Sequence, residues 1–278
     1  MKKKNPVMPV VKWAGGKRQI RNEIIHRIPK DFSIYCEPFA GGCAVLFALC
    51  PEKAVINDIN NELINIYRVI RDNVDELIED LKKHENSREY FYSLREMDRD
   101  HESYRKMNPI ERASRIIYLN KTCYNGLFRV NQAGEFNTPY GNYKKPNIVN
   151  EPVLRAVSEY FNRADIRFTC LDFEEAMRNV ERDSFVYLDP PYDPVSSTAN
   201  FTSYDKGGFD KNEQIRLKNV CDRLNKKGIR FLLSNSATEF IINLYRDYTV
   251  EIIQAKRAVN SNPRKRGEVH EVLISNYR

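Results

Sequence analysis

The chain has 278 residues, 41% of them hydrophobic, and a formal net charge of +7. This length suits a single α/β domain that carries a smaller insertion. No apolar run approaches the roughly 18 residues of a membrane-spanning helix. The basic start also has too few apolar residues for a secretory signal, so we expect an intracellular protein. The positive charge fits either a solvated basic surface or a polyanionic partner such as nucleic acid.

The six cysteines form no C-x-x-C pair, and no neighbouring histidine completes a zinc spacing. Most of them lie in apolar stretches, which is typical of buried free thiols. We therefore expect no disulfide framework, no metal site and no cysteine nucleophile.

The first part of the chain predicts the start of a parallel sheet. Residues 32–42 (FSIYCEPFAGG) predict a strand and a glycine-containing turn, residues 43–50 an apolar helix, and residues 53–60 (KAVINDIN) a second strand. A strand, a helix and a strand in this order indicate a parallel pair joined by a right-handed crossover.

Residues 62–151 have a different character. Helical periodicity with one charged face extends to about residue 126. Residues 129–143 (RVNQAGEFNTPYGNY) then predict a hairpin or an irregular loop, with QAGE as the turn. We predict a catalytic domain formed by residues 1–61 and 152–278, and an inserted helical domain at 62–151 with a hairpin near 124–141.

Alternating strands and helices return after the insertion. Strands are predicted at residues 164–173, 183–192 and 229–235, helices at 174–180 and 211–228, and a long polar loop at 196–210. Residues 249–259 and 268–277 predict two final strands joined by the basic loop 260–267. Two consecutive strands at the end indicate an antiparallel hairpin on the edge of a mostly parallel sheet.

The segment EPFAGG, residues 37–42, follows one predicted strand and opens a helix. Gly41 and Gly42 allow a tight turn, and the helix N-terminus offers unpaired N–H groups. Asp58 ends the next strand, where a carboxylate can accept hydrogen bonds from two ribose hydroxyls. These features predict a nucleoside-type cofactor site, with a packing turn and helix cap as the alternative. Glu37 would repel a pyrophosphate and would suit a cationic cofactor.

The segment KWAGGKRQI, residues 12–20, has a superficial likeness to a phosphate-binding loop. The pattern G-x-x-x-x-G-K-[ST] would require glycine in place of Val11 and serine or threonine in place of Arg18. We therefore do not expect a nucleoside triphosphatase. The alternative is a turn that leads into an N-terminal helix.

The tetrapeptide Asp189-Pro190-Pro191-Tyr192 follows the predicted strand SFVYL. Proline has no N–H and a fixed φ, so we expect a rigid turn whose carbonyl groups are free to accept hydrogen bonds. A carboxylate and a nearby carbonyl can hold both hydrogens of an exocyclic amino group, while Tyr192 offers a flat face for stacking. The set suits adenine N6 or cytosine N4, and a chance turn is the alternative.

The chain resembles DNA adenine-N6 methyltransferases of the Dam type, in the alpha class, which use S-adenosylmethionine. The resemblance covers nearly the whole chain and is carried by five segments, KWAGGK (12–17), EPFAGG (37–42), NDIN (57–60), YNGLFRVNQAGEFNTPYGNYKKP (124–146) and DPPY (189–192). It implies a Rossmann-like S-adenosylmethionine-dependent methyltransferase sheet, mostly parallel with an antiparallel edge strand. It also implies that the inserted helical domain recognises DNA.

The same resemblance implies roles for individual residues. The catalytic set is Asp189, Pro190, Pro191 and Tyr192. The cofactor set is Trp13, Ala14, Lys17, Glu37, Pro38, Phe39, Gly41, Asp58, Asp172, Phe173 and Asp189. The DNA set is Lys12, Tyr124, Asn125, Leu127, Arg129, Asn131 and Pro139, with Tyr124 entering the base stack and Arg129 reading a guanine.

Several alternatives stay open for these residues. Asp172 is also suited to cap the helix that follows it, and Arg129 to contact a phosphate or simply to be solvated. The loop segment PRKRG, residues 263–267, resembles a phosphate-contacting loop but equally fits a solvated one. The family turn often has glycine where this chain has Cys43. We expect the cysteine to be tolerated only if its position is helical and its φ is negative.

The implied reaction is methyl transfer from S-adenosylmethionine to adenine N6 in double-stranded DNA, within GATC, by base flipping and direct attack on the methyl group. We expect no membrane, metal or obligate protein partner. One alternative is a methyltransferase for another amine, such as cytosine N4, an RNA adenine or a protein glutamine amide. The other is an inactive DNA-binding protein on the same scaffold.

Overall fold

The computed structural model describes residues 7–13, 15, 17, 20–195, 208–256 and 268–278. Four predicted features lie wholly or mostly outside these residues: the lysines at 2–4, Ala14, the loop 196–210 apart from its last three residues, and the loop 260–267.

Seven strands form one sheet in the order β3-β2-β1-β4-β5-β7-β6. They are β1 (Ile34–Glu37), β2 (Lys53–Asn57), β3 (Asp165–Thr169), β4 (Ser184–Leu188), β5 (Arg230–Ser236), β6 (Thr249–Lys256) and β7 (Glu268–Ser275). Strands β1 to β5 pair in parallel, and β7 runs antiparallel to both β5 and β6. The predicted Rossmann-like sheet with an antiparallel hairpin at its edge is confirmed.

Helices cover both faces of this sheet. They are α1 (Arg21–Arg27), α2 (Ala44–Leu49), α3 (Asn61–Asp72), α4 (Val74–Leu81), α5 (Arg88–Glu96), α6 (His101–Lys106), α7 (Pro109–Thr122), α8 (Glu151–Arg163), α9 (Phe173–Ala176), α10 (Lys211–Lys226) and α11 (Glu239–Leu244). Sequence patterns did not predict α11. Its N-terminus nevertheless carries a threonine cap, since the side chain of Thr238 accepts the Ile241 N–H at 3.3 Å. No helix among the described residues is long and apolar enough to cross a membrane.

Side chains of the central strands alternate between two hydrophobic cores, as the period of a strand requires. Tyr187 and Leu232 belong to the core that includes α3, α7 and α8. Val186 and Leu233 belong to the core beneath α10 and α11. Burial on both faces explains the continuous apolar runs at residues 185–188 of β4 and 231–233 of β5.

Residues 62–151 contain most of α3 and all of α4 to α7, followed by an antiparallel hairpin. The hairpin consists of two isolated bridges, Cys123↔Tyr140 and Val130↔Phe136, rather than continuous strands. The core of this segment continues into the sheet, because Tyr67 of α3 stacks on Phe168 of β3 with ring centroids 5.9 Å apart. The proposed division into two domains stays a prediction.

A buried ion pair fixes the hairpin to the helices. Arg115 of α7 lies with Nη2 3.0 Å from Oδ2 of Asp98, and the same oxygen accepts the Phe136 N–H at 2.8 Å. Further donors of Arg115 go to the carbonyl oxygens of Leu94 and Arg95. A buried charge with its hydrogen bonds satisfied in this way holds one geometry.

Candidate active site

Three acidic residues lie at the carboxyl ends of adjacent parallel strands. Glu37 is the last residue of β1, and Asp58 and Asp189 directly follow β2 and β4. Because β1 pairs with both β2 and β4, the three carboxylates surround one crevice at the sheet edge where α/β proteins bind ligands.

Asp189 is held through one of its two carboxylate oxygens. Oδ1 lies 2.8 Å from the ammonium of Lys17 and accepts a hydrogen bond from Ser234 Oγ at 3.0 Å. Within the described residues, Oδ2 accepts no hydrogen bond. Burial raises the pKa of Asp189, and Lys17 and Ser234 act in the opposite direction. The resemblance implies that Lys17 lies at the edge of the cofactor, which stays a prediction, and the structure shows its ammonium on the Asp189 carboxylate.

The two proline carbonyls behave differently. Gln214 of α10, which is fully buried, donates from Nε2 to the Pro191 carbonyl at 2.9 Å. The expectation that both carbonyls are free is therefore wrong for Pro191. The Pro190 carbonyl accepts no hydrogen bond from the part of the chain that the structure describes. Among the described residues, Asp189 Oδ2 and the Pro190 carbonyl are thus two acceptors of this segment that carry no hydrogen bond.

Tyr192 is fixed at both its hydroxyl and its ring. Its hydroxyl donates to Glu271 Oε2 of β7 at 2.8 Å, and the Lys17 ammonium lies 4.3 Å from the ring centroid. Burial raises the pKa of the Tyr192 hydroxyl well above its usual range, so it stays protonated and donates. Sequence reasoning missed Glu271, because nothing within β7 itself distinguishes this acid.

A second polar network lies behind the tetrapeptide. Asn235 of β5 accepts the Asp193 N–H at 3.0 Å and donates to Gln214 Oε1 at 3.1 Å. Both amide side chains are fully buried, and each links the loop after β4 to its neighbours. No sequence signal distinguishes them, because Asn235 lies between two serines and Gln214 lies in a largely polar helix.

Glu37 lies beneath the glycine turn and is 2% exposed. It accepts a hydrogen bond from the Tyr35 hydroxyl at 3.0 Å. Burial raises its pKa well above the ordinary value of 4.5, and the negative charges of Asp189 and Asp58 raise it further. Burial and the two neighbouring acids thus disfavour the ionised form of Glu37.

Asp58 ties the glycine turn to the second strand. Its Oδ2 accepts the Gly41 N–H and its Oδ1 accepts the Asn60 N–H, each at 2.9 Å. The Pro38 carbonyl is fixed in the same turn by Asn57 Nδ2 at 3.1 Å.

Cys43 has φ 55° and ψ 35°, which is the left-handed conformation. The condition under which we expected cysteine to be tolerated, a helical residue with negative φ, is therefore not met. Such a conformation costs a residue with a side chain about 1–2 kcal/mol. The cysteine side chain is nevertheless fully buried in the core.

Aromatic rings form the wall beside this turn. The Phe39 ring centroid lies 5.3 Å from that of Phe173 and 5.8 Å from that of Phe209. Asp172 precedes Phe173 and caps α9 by accepting the Glu174 N–H at 2.9 Å. It also pairs with Arg216, so the capping alternative for Asp172 is observed.

Trp13 joins the glycine turn to the hairpin segment. Its ring packs against Gly41, where an added Cβ would lie 3.0 Å from Trp13 Cδ1. The ring also stacks on Phe128 with centroids 4.7 Å apart and planes 21° apart. Sequence reasoning missed Phe128, which is buried and resembles any core residue.

The predicted DNA-contacting residues cluster on the hairpin and the preceding turn. Tyr124 is 57% exposed, Asn125 next to it has φ 57°, and Leu127 is half-buried. The Tyr124 N–H donates to the Pro139 carbonyl at 2.8 Å, which brings the two ends of the hairpin together.

The hairpin's polar side chains differ in what they contact. The exposed Arg129 donates from Nε to Asn137 Oδ1 at 2.8 Å. Asn131 Oδ1 accepts the N–H groups of Ala133 and Glu135, each at 3.0 Å. Arg129 also donates from Nη2 to the Asn137 carbonyl at 3.4 Å. The Asn131 side chain therefore builds the hairpin turn, whereas the Arg129 side chain lies along the exposed side of the hairpin.

Comparison with known proteins identifies the family. Residues 13–259 match the family described as D12 class N6 adenine-specific DNA methyltransferase. The chain is 44% identical over 278 residues to the Type II methyltransferase M1.LlaDCHI of Lactococcus lactis subsp. cremoris, covering 99% of this chain and 98% of that protein. It is 32% identical over 267 residues to the DNA adenine methylase of Escherichia coli K12, covering 95% and 93%.

A third relative, the Type II methyltransferase M.MjaIII of Methanocaldococcus jannaschii, is 40% identical over 291 residues, covering 98% of this chain and 99% of that protein. The chain belongs to the D12 class of N6 adenine-specific DNA methyltransferases. The predicted resemblance and the predicted enzyme class, an adenine-specific DNA methyltransferase, are confirmed.

Proposed function

We propose that this protein transfers a methyl group from S-adenosylmethionine to N6 of an adenine in duplex DNA, within GATC, after the base has been flipped out. The observation that carries the proposal is the acceptor pair formed by Asp189 Oδ2 and the Pro190 carbonyl. Lys17 and Ser234 engage only Asp189 Oδ1, so the other oxygen is left for substrate.

The acceptor pair would make the weakly nucleophilic amine more reactive. The N6 lone pair is delocalised into the purine ring, and hydrogen bonds from N6–H to Asp189 and Pro190 draw the nitrogen toward tetrahedral geometry. The lone pair is then available to attack, while Tyr192 stacks on the ring. Positioning and electrostatic stabilisation supply the rate enhancement.

S-adenosylmethionine supplies an electrophilic methyl group on a sulfonium. Attack by N6 on that methyl carbon would break the bond from carbon to sulfur and release S-adenosylhomocysteine. N6 becomes acidic only after it has been alkylated, so its proton would depart last, to the Asp189 carboxylate that accepts its hydrogen bond. Asp189 therefore orients the amine in the first step rather than deprotonating it.

The crevice fits this cofactor in charge and shape. The raised pKa of the buried Glu37 reflects unfavourable burial of its charge beside Asp58 and Asp189, which a cationic ligand offsets. Asp58 would hold the ribose hydroxyls, and Phe39 and Phe173 would contact the adenine ring. Trp13 would contact the cofactor from the side of the glycine turn.

The exposed side of the hairpin fits DNA. An adenine must leave the stack to reach the acceptor pair, at a cost of a few kcal/mol. Tyr124, which is exposed and next to the left-handed Asn125, would fill the space that the base leaves. Arg129 would read a guanine, a contact worth about 1–3 kcal/mol of discrimination. GATC itself rests on the resemblance of residues 124–146.

Sequencing of a methylated plasmid tests this function. Purified protein and S-adenosylmethionine are incubated with plasmid DNA, and N6-methyladenine is mapped at single-base resolution. We expect methylation confined to GATC. Methylation of another motif would overturn the assigned site but not the reaction. DNA binding without any methylation would favour the inactive scaffold.

A further inference from the structure

Asn120 is a buried amide that connects two segments of the DNA-facing surface. It lies near the end of α7 and is 1% exposed. Its Oδ1 accepts the Lys12 N–H at 2.8 Å, and its Nδ2 donates to the Lys12 carbonyl at 2.8 Å and to the Gly126 carbonyl at 3.1 Å. Both of its donor hydrogens and its acceptor are therefore used.

The side chain of Lys12 reinforces this connection. A Cβ added at Gly126 would lie 2.5 Å from Lys12 Cδ, and Gly126 has φ +66°. The lysine stem therefore lies directly against the turn Tyr124–Gly126, and only glycine permits the contact. The N-terminal segment and the turn form one surface, although they are more than a hundred residues apart.

The three hydrogen bonds of Asn120 all go to main-chain groups. A buried amide is costly unless it is fully satisfied, so its geometry fixes the separation of the Lys12 and Gly126 backbones. Intrahelical bonding of α7 does not require this side chain. Asn120 is also not among the residues that contact Asp189 or Glu37.

We infer that Asn120 is a positioning residue for sequence discrimination, which acts by holding Lys12 in register with Tyr124, Asn125 and Leu127. This inference rests on the proposed function, which assigns those residues to the DNA interface. Without Asn120, Lys12 remains basic and still attracts DNA, but its position relative to the target base pairs is no longer fixed. Sequence choice weakens more than overall affinity.

Equilibrium binding tests this role independently of methyl transfer. The full-length protein is loaded with S-adenosylhomocysteine, and its Kd is measured for a GATC duplex and for duplexes with one base pair of the site changed. Wild type, Asn120→Ala, Lys12→Ala and the double variant are compared. Thr122→Val serves as the control, because Thr122 is buried on the same helix and its hydroxyl bonds only the Tyr118 carbonyl at 2.7 Å.

The measure of discrimination is the Kd for an altered duplex divided by the Kd for the GATC duplex. We expect Asn120→Ala to lower this ratio about tenfold, which corresponds to about 1.4 kcal/mol. In the Lys12→Ala background the same change should lower the ratio by less than about twofold, because the two residues act as a unit. Thr122→Val should stay within about twofold of wild type. Thermal unfolding with S-adenosylhomocysteine checks that each variant folds and binds the cofactor product.

Two outcomes would make Asn120 a purely structural residue. In the first, Asn120→Ala weakens binding to all duplexes equally and leaves the Kd ratio unchanged. In the second, the effects of Asn120→Ala and Lys12→Ala on the ratio are additive. A wild type without any preference among the duplexes would also overturn the inference. If Asn120→Ala does not fold, Asn120→Asp keeps the acceptor for the Lys12 N–H and removes both donors, and the same outcomes apply. Absence of methyl transfer by a discriminating wild type would instead count against the proposed function alone.

Discussion

The ammonium of Lys17 lies 2.8 Å from Oδ1 of Asp189 and 4.3 Å from the centre of the Tyr192 ring. One buried cation from the N-terminal segment thus contacts both ends of the tetrapeptide Asp189-Pro190-Pro191-Tyr192. It favours the ionised form of Asp189 and occupies one of the two carboxylate oxygens, the other being the one that we propose binds substrate.

Lys17→Met should shift the acid limb of the pH–rate profile to higher pH. Burial raises the pKa of Asp189 and Lys17 lowers it, so removing the cation raises the pKa further and leaves less carboxylate at neutral pH. Single-turnover methyl transfer across pH measures this, with Lys17→Arg as the control that keeps the charge. An acid limb at the same pH in Lys17→Met would show that the lysine does not govern the ionisation of Asp189.

Glu37→Gln should stabilise the cofactor-free protein at neutral pH. Burial raises the pKa of Glu37 in the folded protein above the ordinary glutamate pKa of 4.5. The free energy of unfolding of the wild type is therefore greatest below pH 4.5 and falls as the pH rises toward the folded-state pKa. The variant lacks this loss, so its advantage should grow with pH. Urea unfolding across this range measures it, with the exposed Glu52→Gln as the charge-matched control. A wild type more stable than Glu37→Gln at neutral pH would contradict the account.

The same substitution should weaken binding of S-adenosylmethionine, because a cationic ligand gains from an ionised Glu37. Calorimetric titration at neutral pH measures the two Kd values. Wild-type affinity should also rise with pH as Glu37 ionises, whereas the affinity of Glu37→Gln should change less. Equal affinity and equal pH dependence would remove Glu37 from the cofactor site.

Cys43→Gly should be more stable than Cys43→Ala. Both substitutions remove the buried sulfur, but only glycine adopts φ 55° without strain, a difference of roughly 1 kcal/mol. Urea unfolding of the pair isolates the backbone cost. Cys36 lies in β1, and the same two substitutions there serve as the control. Cys36→Gly should be less stable than Cys36→Ala, since glycine weakens a strand. An alanine variant at position 43 that is the more stable would mean that the turn carries no strain.

Phe128→Ala should destabilise the fold and loosen Trp13. Removing a buried phenylalanine costs about 3–5 kcal/mol, including the stacking of the two rings at 4.7 Å. Trp13 is the only tryptophan in the chain, so its fluorescence reports on this contact in the same unfolding experiment. Phe128→Leu should change the fluorescence with a smaller loss of stability. Unchanged emission in both variants would show that the stack does not form.

Sequence patterns located the acids of the site because each one ends a strand of a parallel sheet. The prediction that Glu37, Asp58 and Asp189 lie together needed only the ends of the predicted strands and the right-handed crossover rule. The contacts that hold them were not predictable in the same way. Gln214 reaches Pro191 from another helix, and Glu271 reaches Tyr192 because β7 is inserted between β5 and β6.

The conformation of single residues was equally hidden. Nothing in the letters EPFAGGC specifies that the left-handed residue is Cys43 as well as Gly41. The Pro191 carbonyl looked free because its donor lies 23 residues further along the chain. Local patterns therefore identified the reacting groups, and tertiary packing determined which of their atoms remain available.

The most direct measurement uses S-adenosylmethionine labelled on its methyl group, wild type and Asp189→Asn, and two short duplexes. One duplex contains GATC, and the other has the adenines on both strands of that site already methylated at N6. Asparagine keeps the shape of Asp189 but places an amide where the carboxylate accepts N6–H. We predict label only in the unmethylated duplex and only with wild type, while both proteins bind the cofactor. Comparable transfer by Asp189→Asn, or wild-type label in both duplexes, would contradict the assigned chemistry.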